Sequence, residues 1–250
     1  WNLKSLIRQI VQSATYRQSS NLGDDPRKLL ETDPENRLLA RAERFRMPAW
    51  MIRDSVLQAS QLLDTTVGGP PVRPYQPSGV WADITMGRFK YKPSQGDAQF
   101  RRTVYTFWRR SAAPAFLFDN AKRRICQVTT PITNTPLHAL TLMNDLTYLE
   151  SSRVLAQNAA TAFTTRPEQI NYIYEHLLSR RPHKAELDVI LTQLDALEVF
   201  YRSNPEQARR YLRHGQPESI PTFAKWGTTT GEQNATSLAA LSSITSMVMN

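Results

Sequence analysis

Prolines stand where apolar periodicity begins in this sequence. Pro48, Pro136, Pro167 and Pro205 each precede apolar residues repeating every three or four positions, and Asp33-Pro34 opens a shorter turn. Proline has a fixed φ and no N–H, so it suits the first turn of a helix and breaks the interior. Each of these prolines therefore pins a helix start and forbids a helix running through it. A chain punctuated in this way is expected to be mainly α.

The periodic residues give the elements. Leu3, Leu6, Ile7, Ile10, Val11 and Ala14 share one face of a first helix over 2–17, and a polar loop follows from Ser19 to Asp25. After Pro48 the face is Ile52, Val56, Ala59 and Leu63. Thr135-Pro136 starts the longest helix, to about Phe163, with Leu137, Leu140, Met143, Tyr148 and Leu155. Pro167 starts another, with Ile170, Ile173, Tyr174 and Leu177 inward. Residues 183–202 form a third, and Asn204-Pro205 opens a fourth that stops at His214-Gly215. Residues 165–215 thus read as a local antiparallel bundle. Asp97 is expected to cap a helix to about Ser111, with Phe100, Val104, Phe107 and Trp108 inward and Arg102, Thr106 and Arg109 outward. Phe89 and Tyr91 allow a short strand or hairpin within 80–95.

One stretch cannot be helical. Residues 68–77 read Gly-Gly-Pro-Pro-Val-Arg-Pro-Tyr-Gln-Pro, four prolines and two glycines in ten. It is either a polyproline ligand for a partner or an ordered loop over the domain. Val72 and Tyr75 favour the loop, because they give it something to bury. The expected class is a mainly α, irregular multi-helix domain with a proline-rich loop at 68–79 and a C-terminal helical bundle.

The formal net charge is +9, from 31 Lys and Arg against 22 Asp and Glu. Ten basic residues and two acids lie between Arg88 and Arg124, so this segment carries +8. Such a field suits an acidic partner, and the candidate anion-binding residues are Arg101, Arg102, Arg109, Arg110, Arg123 and Arg124. The competing reading makes them internal glue, paired with carboxylates such as Asp54, Asp119 or Asp145. Arginine's fork suits bidentate pairing, and the chain holds 24 Arg against 7 Lys. Asn134 and Thr135 join the candidates, because Thr133-Asn134-Thr135-Pro136 puts hydroxyls and an amide at a helix N-terminus. The same groups would equally cap that helix.

Catalytic signals are sparse. No GxSxG, GxxxxGKS or GxGxxG occurs, and His138, His176, His183 and His214 are not spaced as metal ligands. The lone cysteine, Cys126, excludes an internal disulfide, a cysteine-based zinc site and a CxxCH haem attachment. Its neighbours Ile125 and Val128 lead us to expect a buried, inert thiol. No cofactor is expected in this chain. No run of 18 apolar residues is present, so no membrane-spanning helix is expected.

Several segments carry a resemblance. They are Trp1-Asn2-Leu3-Lys4-Ser5-Leu6, residues 15–20, Asp33-Pro34-Glu35-Asn36-Arg37-Leu38-Leu39-Ala40-Arg41, Met51-Ile52-Arg53-Asp54, the proline-rich residues 68–77, residues 101–110, residues 133–140 and Asn144-Asp145. In content, order and spacing the chain resembles the planctomycete-type PSD domain of unknown function. That domain lies C-terminal to cytochrome-c-like and PSCyt-type domains in large bacterial proteins. The resemblance implies that residues 1–250 are the C-terminal portion of one PSD-type domain, truncated at both ends, with 1–130 and 131–250 as an open division into subdomains. It implies export to the periplasm or cell surface, haem elsewhere in the parent protein, and no catalytic residue to carry over.

Three readings of function follow. The leading one is a non-catalytic structural or interaction module of a larger exported, cytochrome-containing protein, contacting other domains or chains of an assembly. The second is a module that binds an anionic polymer, an acidic polysaccharide or nucleic acid, through residues 88–124. The third is part of an enzyme whose site is completed by other segments.

Overall fold

The computed structural model describes residues 2–20, 26–109, 113–114, 116–119, 126, 128, 132–215 and 231–250, and within them the side chains of all but 26, 28 and 231–234. The described residues form helices and no strand. Isolated parallel bridges pair Asp64 with Arg101 and Val72 with Thr106. The chain is mainly α, as the proline spacing predicts. It divides into two compact units, Trp1–Met47 and Pro48–Asn250.

The first unit holds α1 (Leu3–Gln12) and α2 (Pro26–Thr32). Asn2 caps α1, its Oδ1 accepting the Ser5 N–H at 3.1 Å. The Asp33-Pro34 step does not open a helix. Asp33 does accept N–H groups from Arg37 and Leu38, both at 2.8 Å. However, Asn36 and Leu39 turn to positive φ, and the Arg41 guanidinium takes the Asp33 and Pro34 carbonyls that a helix would need. The cap exists without its helix. Those backbone donors, Leu38 first, hold the Asp33 carboxyl below its ordinary pKa.

The second unit contains α3 (Ala49–Ala59), α4 (Val80–Thr85), α5 (Pro136–Asn144), α6 (Leu146–Ala162), α7 (Arg166–Leu178), α8 (Lys184–Ser203), α9 (Pro205–Leu212) and α10 (Gly231–Met249). Proline takes the first or second position of α5, α7 and α9, and caps α3. The helix expected over 136–163 is two helices. Asp145 ends α5 and starts α6, with extended backbone and its carboxylate accepting the Thr147 N–H at 2.9 Å. A short acidic side chain that can bond the N–H two residues on competes with the helix at that point.

The bundle has a centre that lies outside residues 165–215. Helix α10 packs against α6, α7, α8 and α9. Its Ala235, Leu238, Ala239, Ala240, Leu241 and Ile244 are all buried, and they meet buried Leu155, Ala156 and Ala159 of α6, Ile170 and Ile173 of α7, Leu194 of α8 and Ala208 and Leu212 of α9. Small residues on both α6 and α10 let the backbones approach. The Ser242 and Thr245 hydroxyls are buried too, and they donate to the carbonyls four residues back at 2.7 and 2.8 Å. A helix buried on nearly all sides must be apolar or internally satisfied all round.

Helix α8 starts at a reciprocal cap. The Glu186 carboxylate accepts the His183 N–H at 2.8 Å and both arms of Arg180 at 2.7 Å. The Arg180 fork, then the His183 N–H, hold the Glu186 carboxyl down at about 2. A carboxyl depressed on folding adds stability that is present above its unfolded pKa and lost as pH falls through the folded one. The thermal midpoint of the wild-type chain should therefore fall more steeply than that of Glu186→Gln between about pH 4.5 and 2. Parallel midpoint-versus-pH curves would refute this.

Two local expectations are corrected. Residues 80–85 are the short helix α4, not a strand, and no hairpin forms over 80–95. Over the described part of 97–111 there is no continuous helix. Short 3₁₀ turns at Gly96–Phe100 and Thr103–Tyr105 are joined by extended backbone. Tertiary bonds override the helical period here: Val72 N–H donates to the Tyr105 carbonyl at 2.9 Å, and Phe107 N–H to the Val72 carbonyl at 2.7 Å. The proline-rich loop is laid against the domain, with Val72 and Tyr75 buried. The Tyr75 hydroxyl reaches into the bundle and donates to Glu150 Oε2 at 2.8 Å. Glu150 is fully buried, with Arg153 Nη2 3.7 Å from its other oxygen, and Arg153 also donates to the His214 carbonyl at 3.4 Å.

Candidate functional site

The segment 99–109 is held by an arginine from another helix. Arg53 of α3 is fully buried. Its guanidinium donates to the Gln99 and Arg101 carbonyls, each at 2.9 Å, and to Thr103 Oγ1 at 3.1 Å. Asp54 next to it accepts the Thr103 N–H at 2.8 Å and hydroxyl at 2.6 Å. Burial lowers the Arg53 pKa and Asp54 partly restores it. The fork works because three acceptors lie in one short run of chain.

Arg101 is bound in the same way, one step further out. Its guanidinium donates to the carbonyls of Thr66 (2.9 Å), Gly68 and Pro70 (3.3 Å) and lies 4.1 Å above the Tyr105 ring. Its Nε stands 3.9 Å from Asp64 Oδ2. The Gln99 amide lies between the Arg73 and Ser94 carbonyls and the Tyr75 N–H, and one orientation satisfies all three at 3.0, 3.1 and 2.7 Å. Residues 99, 101 and 103 thus face inward, while 102 and 104 face out.

The outward residues, with Thr103 between them, line a cleft of about 590 Å³. Its described walls are Trp50 of α3, Arg102, Thr103, Val104, Thr106, Trp108 and Leu117. Trp50 is 47 % exposed and Val104 78 %, so the walls are apolar and open. Arg102 is exposed too, and among the described residues its guanidinium makes no ion pair or hydrogen bond. A cleft of this volume is of the size that holds small molecules.

The other candidate residues are placed as follows. Arg109 stacks on Phe89, 4.7 Å from the ring centre, beside Arg73, which lies over Phe89 and Phe107. With Trp81 and Tyr91 these rings make an aromatic cluster, Trp81 to Tyr91 centroids being 5.2 Å apart. Desolvation in this cluster pushes the Tyr91 hydroxyl pKa up. Arg102 and Arg109 do not share a helical face, because no helix spans them. Arg110, Arg123 and Arg124 lie outside the described residues. Thr133 donates its N–H and hydroxyl to Asp119, both at 2.7 Å, which places a carboxylate by the start of α5. Thr135 caps α5 by backbone alone, and Asn134 is exposed with a partner. Cys126 is exposed, against expectation. Its apolar flank does not bury it, since Val128 itself stands fully in solvent.

The segments brought together by Arg53 and Arg101 are three of those that carry the resemblance: 51–54, 68–77 and the described part of 101–110. A family model described as PSD1, protein of unknown function (DUF1553), matches residues 1–194. The chain belongs to the PSD1 family. No curated protein and no solved structure matches it. In this PSD1 chain the matched region stops within α8, so α9 and the central helix α10 lie beyond it.

Sequence reasoning missed Trp50, Trp108 and Leu117 as cleft walls, and Arg53 as the clamp. The available signal was weak. Arg53-Asp54 reads as a charged pair on an amphipathic helix, and nothing local says that its arginine points inward. Among the described residues no cluster of three or more His, Cys, Asp or Glu could hold a metal ion, and no helix is long and apolar enough to cross a membrane.

Proposed function

We propose that the chain is a non-catalytic interaction module of a larger exported protein, docking through the apolar face of α1. One observation carries this. Leu3, Leu6, Ile7, Ile10 and Val11 repeat on a single face of α1 and are 67, 49, 54, 51 and 41 % exposed, and α1 has no buried residue. Burying each such side chain fully stabilises by about 1.5–3 kcal/mol, so roughly 5 kcal/mol is left unrealised on this helix. A contiguous exposed apolar patch marks a contact surface. The buried charges support the same reading. Arg53 and Arg101 spend their donors on main-chain carbonyls, and Glu150 is bonded by Tyr75, so these groups hold segments together. Export is supported by the family resemblance.

The test is the double substitution Leu6→Glu/Ile10→Glu. The wild-type chain should bind an apolar fluorescent dye and self-associate as concentration rises in sedimentation. The variant should stay monomeric, with dye emission several-fold lower and an unchanged melting midpoint. A wild-type chain that is monomeric and as dye-inert as the variant would sink the proposal. So would a variant that melts many degrees lower, since the face would then be core.

A further inference from the structure

We infer that the cleft walled by Trp50, Trp108, Val104 and Leu117 is a binding site for an apolar carboxylate, a planar or aliphatic body ending in one acidic group held by Arg102. The walls supply aromatic and aliphatic surface, open to solvent at Trp50 and Val104. The hydroxyls on the described walls are already committed or shielded. Thr103 Oγ1 accepts from Arg53 and donates to Asp54. Thr106 Oγ1 is shielded from solvent and bonds to nothing described. Among the described cationic candidates, Arg102 alone has an exposed guanidinium without an ion pair, a hydrogen bond or a ring beneath it, whereas Arg101 is bound to carbonyls and Arg109 rests on Phe89. A guanidinium presents a planar fork that matches a carboxylate in two parallel bonds.

This inventory selects among anions. A sugar acid would bring several hydroxyls to walls that offer few partners for them, and unpaired polar groups cost binding energy. A nucleic acid or polysaccharide track needs a run of cations, and the described cleft holds one. One cation beside apolar surface fits a single carboxylate on an apolar body. The carboxylate could belong to a free acid or to the C-terminus of a polypeptide ending in apolar residues.

Titration calorimetry of the full chain separates these cases. The probes are N-acetyl-phenylalanine, its amide, a tetrapeptide with the free C-terminal sequence Phe-Leu, galacturonate, heparin and a thymidine oligonucleotide. N-acetyl-phenylalanine has about fifteen non-hydrogen atoms and should bind with a roughly millimolar constant or better. The amide should bind at least about ten-fold more weakly, and Arg102→Gln should weaken the acid by roughly ten- to a hundred-fold, the scale of a charge-assisted bond. Trp50→Ala should weaken acid and amide alike, and Arg109→Gln should change neither. Tighter binding of the tetrapeptide identifies a chain end as the source, and preference for the free acid identifies a small molecule. The inference fails if acid and amide bind equally, if no carboxylate probe binds, or if Arg102→Gln has no effect. It also fails if heparin, oligonucleotide or galacturonate binds tighter than the apolar acids and loses that binding in Arg102→Gln. The outcome is independent of the α1 substitutions, which leave the cleft intact.

Discussion

Arg53→Ala should lower stability by about 3–5 kcal/mol, the cost of removing one partner from a buried charged network. The substitution strands the Gln99 and Arg101 carbonyls and leaves Asp54 beside a void. Phe116 also loses the guanidinium that lies 5.2 Å from its ring centre. For a unit of this size that is a fall in melting midpoint of roughly 6–20 °C. Arg53→Lys should recover less than half, since an ammonium cannot reach three acceptors spread along one strand of backbone. Thermal melts of the three proteins decide it. A loss under about 1 kcal/mol for alanine, or full rescue by lysine, would show that the bonds to 99–103 matter little.

Gly215→Ala should be nearly as damaging, although it adds one methyl group. Gly215 has φ +106, a backbone region that other residues rarely adopt. A Cβ built there would overlap Glu150 Cδ and Oε1 and lie 2.8 Å from its Cγ. Glu150 cannot move aside easily, because Tyr75 bonds it and it is fully buried. Backbone strain of about 1–3 kcal/mol and overpacking of about 1–3 kcal/mol together predict a loss of roughly 2–6 kcal/mol. The double variant Gly215→Ala/Glu150→Ala should lose less than the two singles summed, because the clash is gone. Strict additivity would show that the two residues do not press on each other.

The helical bundle was legible in the sequence because its signals are local. Pro136, Pro167 and Pro205 fix starts, and the three- and four-residue spacing of Ile170, Ile173 and Tyr174 selects a face. The α5–α6 break was present as Asn144-Asp145 but was overridden by the continuing apolar period. Residues 97–109 misled for the opposite reason. Phe100, Val104, Phe107 and Trp108 have a helical period, yet the backbone there bonds to Val72 and to Arg53, partners more than 30 positions away in sequence. The cleft was hidden by the same fact. Trp50 and Trp108 are neighbours only after that non-local pairing forms. The resemblance named the right segments without saying that they meet.

The position of α10 sets an order on assembly. Helices α6 to α9 all precede it in the chain, and each presents to it a face that includes Ala156, Ile170, Leu194 or Ala208. During synthesis these faces are made first and remain wet until residues 231–249 emerge. Locally coded helices would form early, but the core that fastens them closes late. The newborn chain would therefore pass through a stage with a long apolar furrow where α10 will lie, the kind of intermediate that chaperones shield from aggregation.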